Sequence, residues 1–137
     1  MEPKVLRILA DEFIKLSSSE KDSDLEEGFL RTSVEKSYYY VFSVLKQAEL
    51  NLNMHVSDKS DAHRDVSENL EQLMTRPKGL KYSRMLISLR NQRNNATYEL
   101  AKVMGKTDAD SMLLEASKFL DKLKDEGVIG IQIDQLL

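Results

Sequence analysis

The chain contains no cysteine and no tryptophan, and its 137 residues include only five glycines, two prolines and two histidines. The absence of cysteine excludes thiol nucleophiles, CxxC redox pairs, iron–sulfur clusters and the common structural zinc sites. The two histidines, His55 and His63, lie in a polar stretch without the short helical spacing that aims two imidazoles at one metal ion. The sequence therefore predicts neither a metal site nor a cofactor.

The scarcity of turn residues excludes further classes of protein. All-β sandwiches and Rossmann folds need frequent glycine and proline, and no phosphate-binding loop of the GxGxxG or GxxxxGK[ST] type occurs. No apolar run approaches the roughly 18–20 residues that cross a bilayer, and acidic residues interrupt the N-terminal segment where a signal peptide is apolar. We expect a cytoplasmic protein with no membrane partner.

Apolar residues recur at intervals of three and four along most of the chain, which is the pattern of amphipathic helices. Five helices are predicted: Val5–Leu16, Leu25–Asn51, Val66–Met74, Leu80–Met104 and a last one from Thr107 to Gly127. The expected fold class is all-α, an up-and-down bundle of four to five helices in one domain, residues 1–127. Residues 128–137 are expected to be a C-terminal tail, either a short strand or a contact with another chain.

The formal net charge is −3, yet the basic residues are unevenly distributed. Between Leu73 and Thr97 there is no acidic residue, and the basic ones are Arg76, Lys78, Lys81, Arg84, Arg90 and Arg93. This stretch is either a solvated helix face or a surface for an RNA backbone or an acidic protein.

Two stretches carry a motif beyond periodicity, LRTSVEKSYYYVF (30–42) and LISLRNQRNNATY (86–98). Together they resemble the HEPN superfamily, and more closely its small stand-alone bundles with R-x-x-S-R-A-Y-Y-A-x-F and R-x-x-A-D-Y patterns. The segment KSDAHR (59–64) is similar to the K-[ST]-x-H segment of the same branch. The positions that carry the resemblance are Arg31, Tyr38, Tyr39 and Phe42 on the first stretch, where Arg31 lies one residue before the place of the pattern's arginine, and Arg90, Arg93, Ala96 and Tyr98 on the second, where Arg90 precedes the pattern by three residues.

This resemblance implies a HEPN-like fold and a homodimer in which Arg90, Arg93 and Tyr98 line a cleft between subunits. It also implies a bacterial or archaeal toxin–antitoxin or defence setting, often beside a nucleotidyltransferase-type partner protein. The expected binding residues for RNA or a partner protein are Lys81, Arg84, Arg90, Arg93, Asn94 and Tyr98.

The sequence departs from catalytic HEPN ribonucleases, which carry an R-x4-6-H motif whose histidine serves acid–base chemistry. Five positions after Arg93 stands Tyr98, and five after Arg90 stands Asn95. Tyrosine, with a pKa of about 10, is a poor substitute for histidine as an acid–base catalyst at neutral pH. We therefore predict a non-catalytic protein that binds RNA or a partner protein. The alternatives are a metal-independent endoribonuclease, with Arg93 and Tyr98 as the candidate catalytic residues, and a purely structural or adaptor subunit.

Each motif residue also has a structural interpretation. Arg93 lies on the buried seam of its helix, where a buried charge needs a partner, and Glu35 on the facing helix is the expected one. Arg31 is expected to form a structural pair as well. The run Tyr38–Tyr40 either packs with its hydroxyls bonded or offers a platform for base stacking.

Overall fold

A computed structural model describes all 137 residues, and it contains helices and no strand. Its six helices are α1 (Pro3–Ser19), α2 (Ser23–Asn51), α3 (Ala62–Gln72), α4 (Lys78–Tyr98), α5 (Lys106–Leu123) and α6 (Gly127–Leu136). The predicted all-α class is confirmed. None of the six combines the length and the apolar character needed to cross a bilayer.

Helix α2 is the longest element, and all five other helices pack against it. It begins at Ser23 because the Asp22 carboxylate accepts hydrogen bonds from the backbone N–H groups of Asp24 and Leu25, at 2.9 and 3.2 Å. Most of its apolar side chains are buried, and those of Val41, Val44, Leu45 and Ala48 have no accessible surface. Helix α2 is therefore the axis on which the motif residues of the other helices are placed.

Helix α4 ends at Tyr98, six residues before the predicted end at Met104. The last carbonyls of α4 bond to Arg31 of α2, so the chain leaves the helix there. Gly105, which directly follows the predicted end of α4, is the N-cap of α5, and its N–H donates to the Asp108 carboxylate at 2.8 Å. The fifth helix therefore begins one residue before its predicted start at Thr107.

Residues 128–137 form no strand, and most of them belong to helix α6. Gly127 adopts a positive φ of 55°, which reverses the chain after α5. Gly130 packs so closely on the end of α5 that a Cβ would lie 2.4 Å from the Lys124 carbonyl oxygen. Ile129 and Ile133, one turn apart, then enter the common core. The expected tail is a sixth helix of the same unit, so the predicted count of four to five helices was too low.

Candidate functional site

The two motif stretches face each other across α2 and α4, and the start of α3 lies beside them. We call this set of side chains the arginine–aromatic cluster, and it consists of Tyr38, Tyr39, Phe42, His63, Arg90 and Arg93. Tyr38 is buried, Arg93 is 8% exposed, and the other four are half-buried at the surface.

The aromatic part of the cluster is built on adjacent turns of α2. Tyr38 and Phe42 stand four residues apart and their rings stack with centroids 6.2 Å apart, while Tyr39 meets both rings edge-on. His63, in the first turn of α3, packs on Phe42 at 4.3 Å between centroids. Its Nδ1 atom lies 2.7 Å from the Tyr38 hydroxyl. The imidazole is thereby held by a hydrogen bond and by aromatic contact.

The arginines of the cluster come from α4 and have no anionic partner. The Arg93 guanidinium carbon lies 5.5 Å from the ring centroids of both Tyr38 and Tyr39, within range of a cation–π interaction. The Nε atoms of Arg90 and Arg93 are buried without a hydrogen-bond partner. Their terminal nitrogens also donate to nothing in the protein, but these atoms retain contact with the surface. The terminal donors of both cations are therefore available to an external anion.

The surroundings of the cluster keep the His63 imidazole and the Tyr38 phenol uncharged at neutral pH. Burial, assisted by the charges of Arg90, Arg93 and Lys46, lowers the pKa of His63 to about 4. Burial raises the pKa of Tyr38 to about 12. The buried Tyr38 hydroxyl has His63 Nδ1 as its only partner, so the phenol donates to Nδ1 and the neutral imidazole carries its proton on Nε2. The cluster accordingly presents hydrogen-bond donors and positive charge, with no carboxylate acting on His63.

Two other predicted binding residues extend the cluster along α4. Arg90, Asn94 and Tyr98 recur every four residues and lie along one row of the helix. Asn94 is half-buried, whereas Tyr98 is 71% exposed at the end of the helix. Tyr98 therefore marks the edge of the site and takes no part in its aromatic packing.

The remaining predicted binding residues lie on a different face. Lys81 and Arg84 each precede an arginine of the cluster by nine residues, about two and a half turns, so they point to the opposite side of α4. Lys81 packs over the Tyr82 ring, with 5.9 Å from Nζ to the centroid. The basic stretch of the sequence thus divides into two surfaces, and only one of them holds motif residues.

The expected ion pair between Arg93 and Glu35 does not form. Glu35 instead accepts a hydrogen bond from the Thr97 hydroxyl at 2.8 Å, and Arg93 turns toward the tyrosine rings. Arg31 pairs with Glu27, one turn earlier on α2, at 3.0 Å. It also donates to carbonyls at the end of α4, including that of Ala96 at 2.9 Å. Arg31 thus joins two helices and lies outside the cluster.

Sequence reasoning did not place His63 at the site. The histidine lies in a polar connection whose path periodicity does not define, and it is far in sequence from both arginines. The available signal was the similarity of residues 59–64 to the K-[ST]-x-H segment. No group of three or more histidines and carboxylates in the protein is arranged to hold a metal ion.

In comparisons with known proteins, the chain matches no family model, no curated protein and no solved structure. The resemblance to the HEPN superfamily therefore depends on the motif residues themselves.

Proposed function

We propose that this is a cytoplasmic, non-catalytic HEPN-like protein that binds single-stranded RNA at the arginine–aromatic cluster. In this proposal it acts as a homodimer in a toxin–antitoxin or defence setting, beside a nucleotidyltransferase-type partner. The positions that resemble HEPN motifs on α2 and α4 lie against each other, and His63 of the third similar segment joins them. This spatial agreement supports treating the three segments as one site.

The observation that carries the proposal is the pair of arginines without a carboxylate. A buried or half-buried cation normally has an anionic partner, because desolvation without one costs several kcal/mol. Arg90 and Arg93 have none, and their terminal nitrogens reach the surface. A phosphate is the anion whose geometry the guanidinium fork matches best. The site therefore favours a phosphate-bearing ligand.

The aromatic rings favour RNA, rather than an acidic protein, as the ligand that supplies the anion. Tyr39, Phe42 and His63 are half-buried beside the arginines, so each ring keeps part of its surface accessible. Single-stranded nucleic acid is recognised by aromatic rings that stack on bases, next to cations that follow the backbone. Carboxylates of a protein partner would form ion pairs with the arginines but would not stack on these rings.

The homodimer of the proposal is supported by an apolar surface at the edge of the cluster. Tyr98, Leu100 and Val103 are 71%, 71% and 87% exposed, and they follow one another closely in sequence, at the end of α4 and in the connection to α5. Exposed apolar side chains that cluster at one place are typical of contact surfaces. A second copy seated there would lie beside the end of the helix that carries Arg90 and Arg93.

Binding is tested by fluorescence anisotropy with a labelled single-stranded oligouridylate over a range of salt concentrations. We expect affinity to fall steeply with salt, and Arg90→Gln to weaken binding roughly 5- to 30-fold while reducing the salt slope by about 0.7. Arg84→Gln, which removes the same charge from the opposite face of α4, should leave affinity and slope near the wild-type values. Wild-type protein without salt-sensitive binding, or equal losses in the two variants, would contradict the proposal.

A second candidate is the metal-independent endoribonuclease, which the position of His63 beside two arginines favours. In that reaction the RNA 2′-oxygen bonds to phosphorus and the bond to the 5′-oxygen breaks. A base takes the proton of the 2′-hydroxyl, and an acid supplies one to the leaving oxygen. The hydrogen bond from Tyr38 occupies Nδ1 of His63 and leaves the proton on Nε2, so the resting imidazole donates where a base must accept. Binding is therefore better supported than cleavage.

The binding reactions separate the two candidates. After incubation with wild-type protein and a chelator, RNA run on a denaturing gel should remain full length under the binding proposal. Shortened RNA whose appearance requires His63 would favour the endoribonuclease instead.

A further inference from the structure

His63 is surrounded by groups that act on its charge from two neighbouring helices. Helix α2 contributes Tyr38, Tyr39 and Lys46, and helix α4 contributes Arg90 and Arg93. All of these groups are neutral or positive at neutral pH. Without a ligand the His63 imidazole is therefore neutral. A proton on it would add a fourth positive charge to those of Lys46, Arg90 and Arg93, and no carboxylate acts on the ring to offset them.

An anion bound at the two arginines changes this balance. A phosphate between them offsets the positive charges that oppose protonation of the imidazole, and it places a negative charge beside the ring. Because His63 is half-buried with one ring nitrogen free of protein partners, this nitrogen is available to the same phosphate. The ligand and a proton on His63 then stabilise each other, which is thermodynamic linkage.

We propose that His63 takes up a proton when an RNA phosphate binds Arg90 and Arg93, and so becomes the third cationic contact to that phosphate. This inference rests on the proposed RNA binding and adds to it both a ligand-binding residue and a proton. The proton enters at Nδ1, while Nε2–H donates to the phosphate oxygen.

The Tyr38 hydroxyl accommodates this protonation without moving away. In the unliganded protein the phenol donates to Nδ1 across 2.7 Å. When Nδ1 gains a proton, the same two atoms remain in contact, the imidazolium N–H donates to the phenol oxygen, and the phenol hydrogen gives up its only acceptor in the protein. The new bond is charge-assisted and therefore stronger than the neutral one, which offsets the loss of that acceptor. Tyr38 thus positions His63 in both charge states.

The expected result is a pH-dependent affinity for RNA. If bound phosphate restores the pKa of His63 to its ordinary value near 6.5, affinity is about tenfold higher at about pH 5.5 than at about pH 7.5. The probe is an oligouridylate with hydroxyl groups at both ends, because a terminal phosphate itself titrates near about pH 6. Arginine and internal phosphodiesters keep their charge over this range, so the change reports on the protein's histidines.

The two histidines of the chain provide a matched pair of variants. His63→Asn should bind the oligouridylate with little change in affinity between the two pH values, while His55→Asn, at an exposed position, should retain the wild-type change. In wild-type protein, the NMR titration of the His63 Hε1 resonance should move upward in pH when the oligouridylate is added. This second measurement does not depend on a substituted protein.

The outcomes distinguish the inference from the function on which it rests. Binding with no pH dependence, an unchanged pH dependence in His63→Asn, or an unshifted His63 titration overturns the proton uptake and leaves RNA binding intact. Absence of binding at every pH overturns the proposed function and the inference together.

Discussion

At Glu49, as in the arginine–aromatic cluster, an ionisable side chain has buried polar atoms without a hydrogen-bond partner. It lies near the end of α2, has no accessible surface, and neither of its carboxylate oxygens is bonded. The nearby Asn69 amide donates instead to the His55 carbonyl at 2.8 Å. Burial raises the pKa of Glu49 to about 8; the nearby Asn69 side chain opposes this increase, and the Asp65 carboxylate adds to it. Glu49 is therefore protonated in the folded protein at neutral pH.

Glu49→Gln should change how stability depends on pH. In the unfolded chain the pKa of this carboxyl group is about 4.3. The higher pKa of Glu49 in the folded protein therefore contributes its full share to the free energy of unfolding only below that pH. This contribution is lost progressively as the pH rises to about 8. The free energy of unfolding of Glu49→Gln minus that of wild type should grow by about 1.4 kcal/mol per pH unit over this range. Urea denaturation at a series of pH values measures it.

The matched control for this prediction is Glu68→Gln, an exposed glutamate on α3. Its difference from wild type should stay nearly constant with pH. A constant difference for Glu49→Gln as well would show that the buried carboxyl group is ionised in the folded state.

Single residues also show where sequence reasoning succeeds and where it stops. The sequence indicated that Arg93 lies on a buried seam, because its neighbours four residues before and three after it are apolar. It did not indicate the partner, because Glu35 precedes Tyr38 and Tyr39 by only one turn of α2, and side-chain rotamers decide between them. Burial follows from periodicity, whereas pairing requires three-dimensional geometry.

At the scale of elements, Arg31 and Glu27 connect α2 to the end of α4 and the start of α5. The Arg31 guanidinium donates to carbonyls of Asn95, Ala96, Glu99 and Lys102, and to Glu27. The Glu27 carboxylate also accepts from the backbone N–H of Met104 at 2.8 Å. A cation at a helix C-terminus interacts favourably with the helix dipole as well as with the free carbonyls. This contact holds the segment that carries Leu100 and Val103.

Arg31→Met should destabilise the protein by about 3 kcal/mol, because it leaves the buried Ala96 carbonyl and its neighbours at the end of α4 without their donor and removes the cation that pairs with Glu27. Far-UV circular dichroism during urea denaturation gives the change in the free energy of unfolding. The control is Arg64→Met, whose ion pairs to Asp61 and Glu68 are exposed and should contribute less than about 1 kcal/mol. Similar losses for the two variants would disprove the role given to Arg31.

The same contact explains which element boundaries the sequence predicts. The start of α2 was predicted to within two residues, because its capping and its first apolar positions are local. The end of α4 depends on Arg31, which is 65 positions away from Ala96. Helix α6 depends on the close approach of Gly130 to the end of α5, while its β-branched residues favour a strand locally. Boundaries set by distant contacts are beyond a local pattern.

At the scale of the whole molecule, the central position of α2 brings the three motif-bearing segments together. The fold class followed from helical periodicity and few turn residues, and the candidate arginines followed from the motif on α4. The inclusion of His63 did not follow, since it requires α3 to start beside Phe42 on α2. The division of basic residues between two faces of α4 follows from helix geometry once the helix is known to be continuous.

The most direct measurement of the central claim is photo-crosslinking of wild-type protein to a single-stranded RNA that contains 4-thiouridine, followed by mass spectrometry of the crosslinked peptides. The proposed site predicts crosslinks at the half-buried rings of the arginine–aromatic cluster, Tyr39, Phe42 and His63. Crosslinks confined to the opposite face of α4, around Lys81 and Arg84, would contradict it.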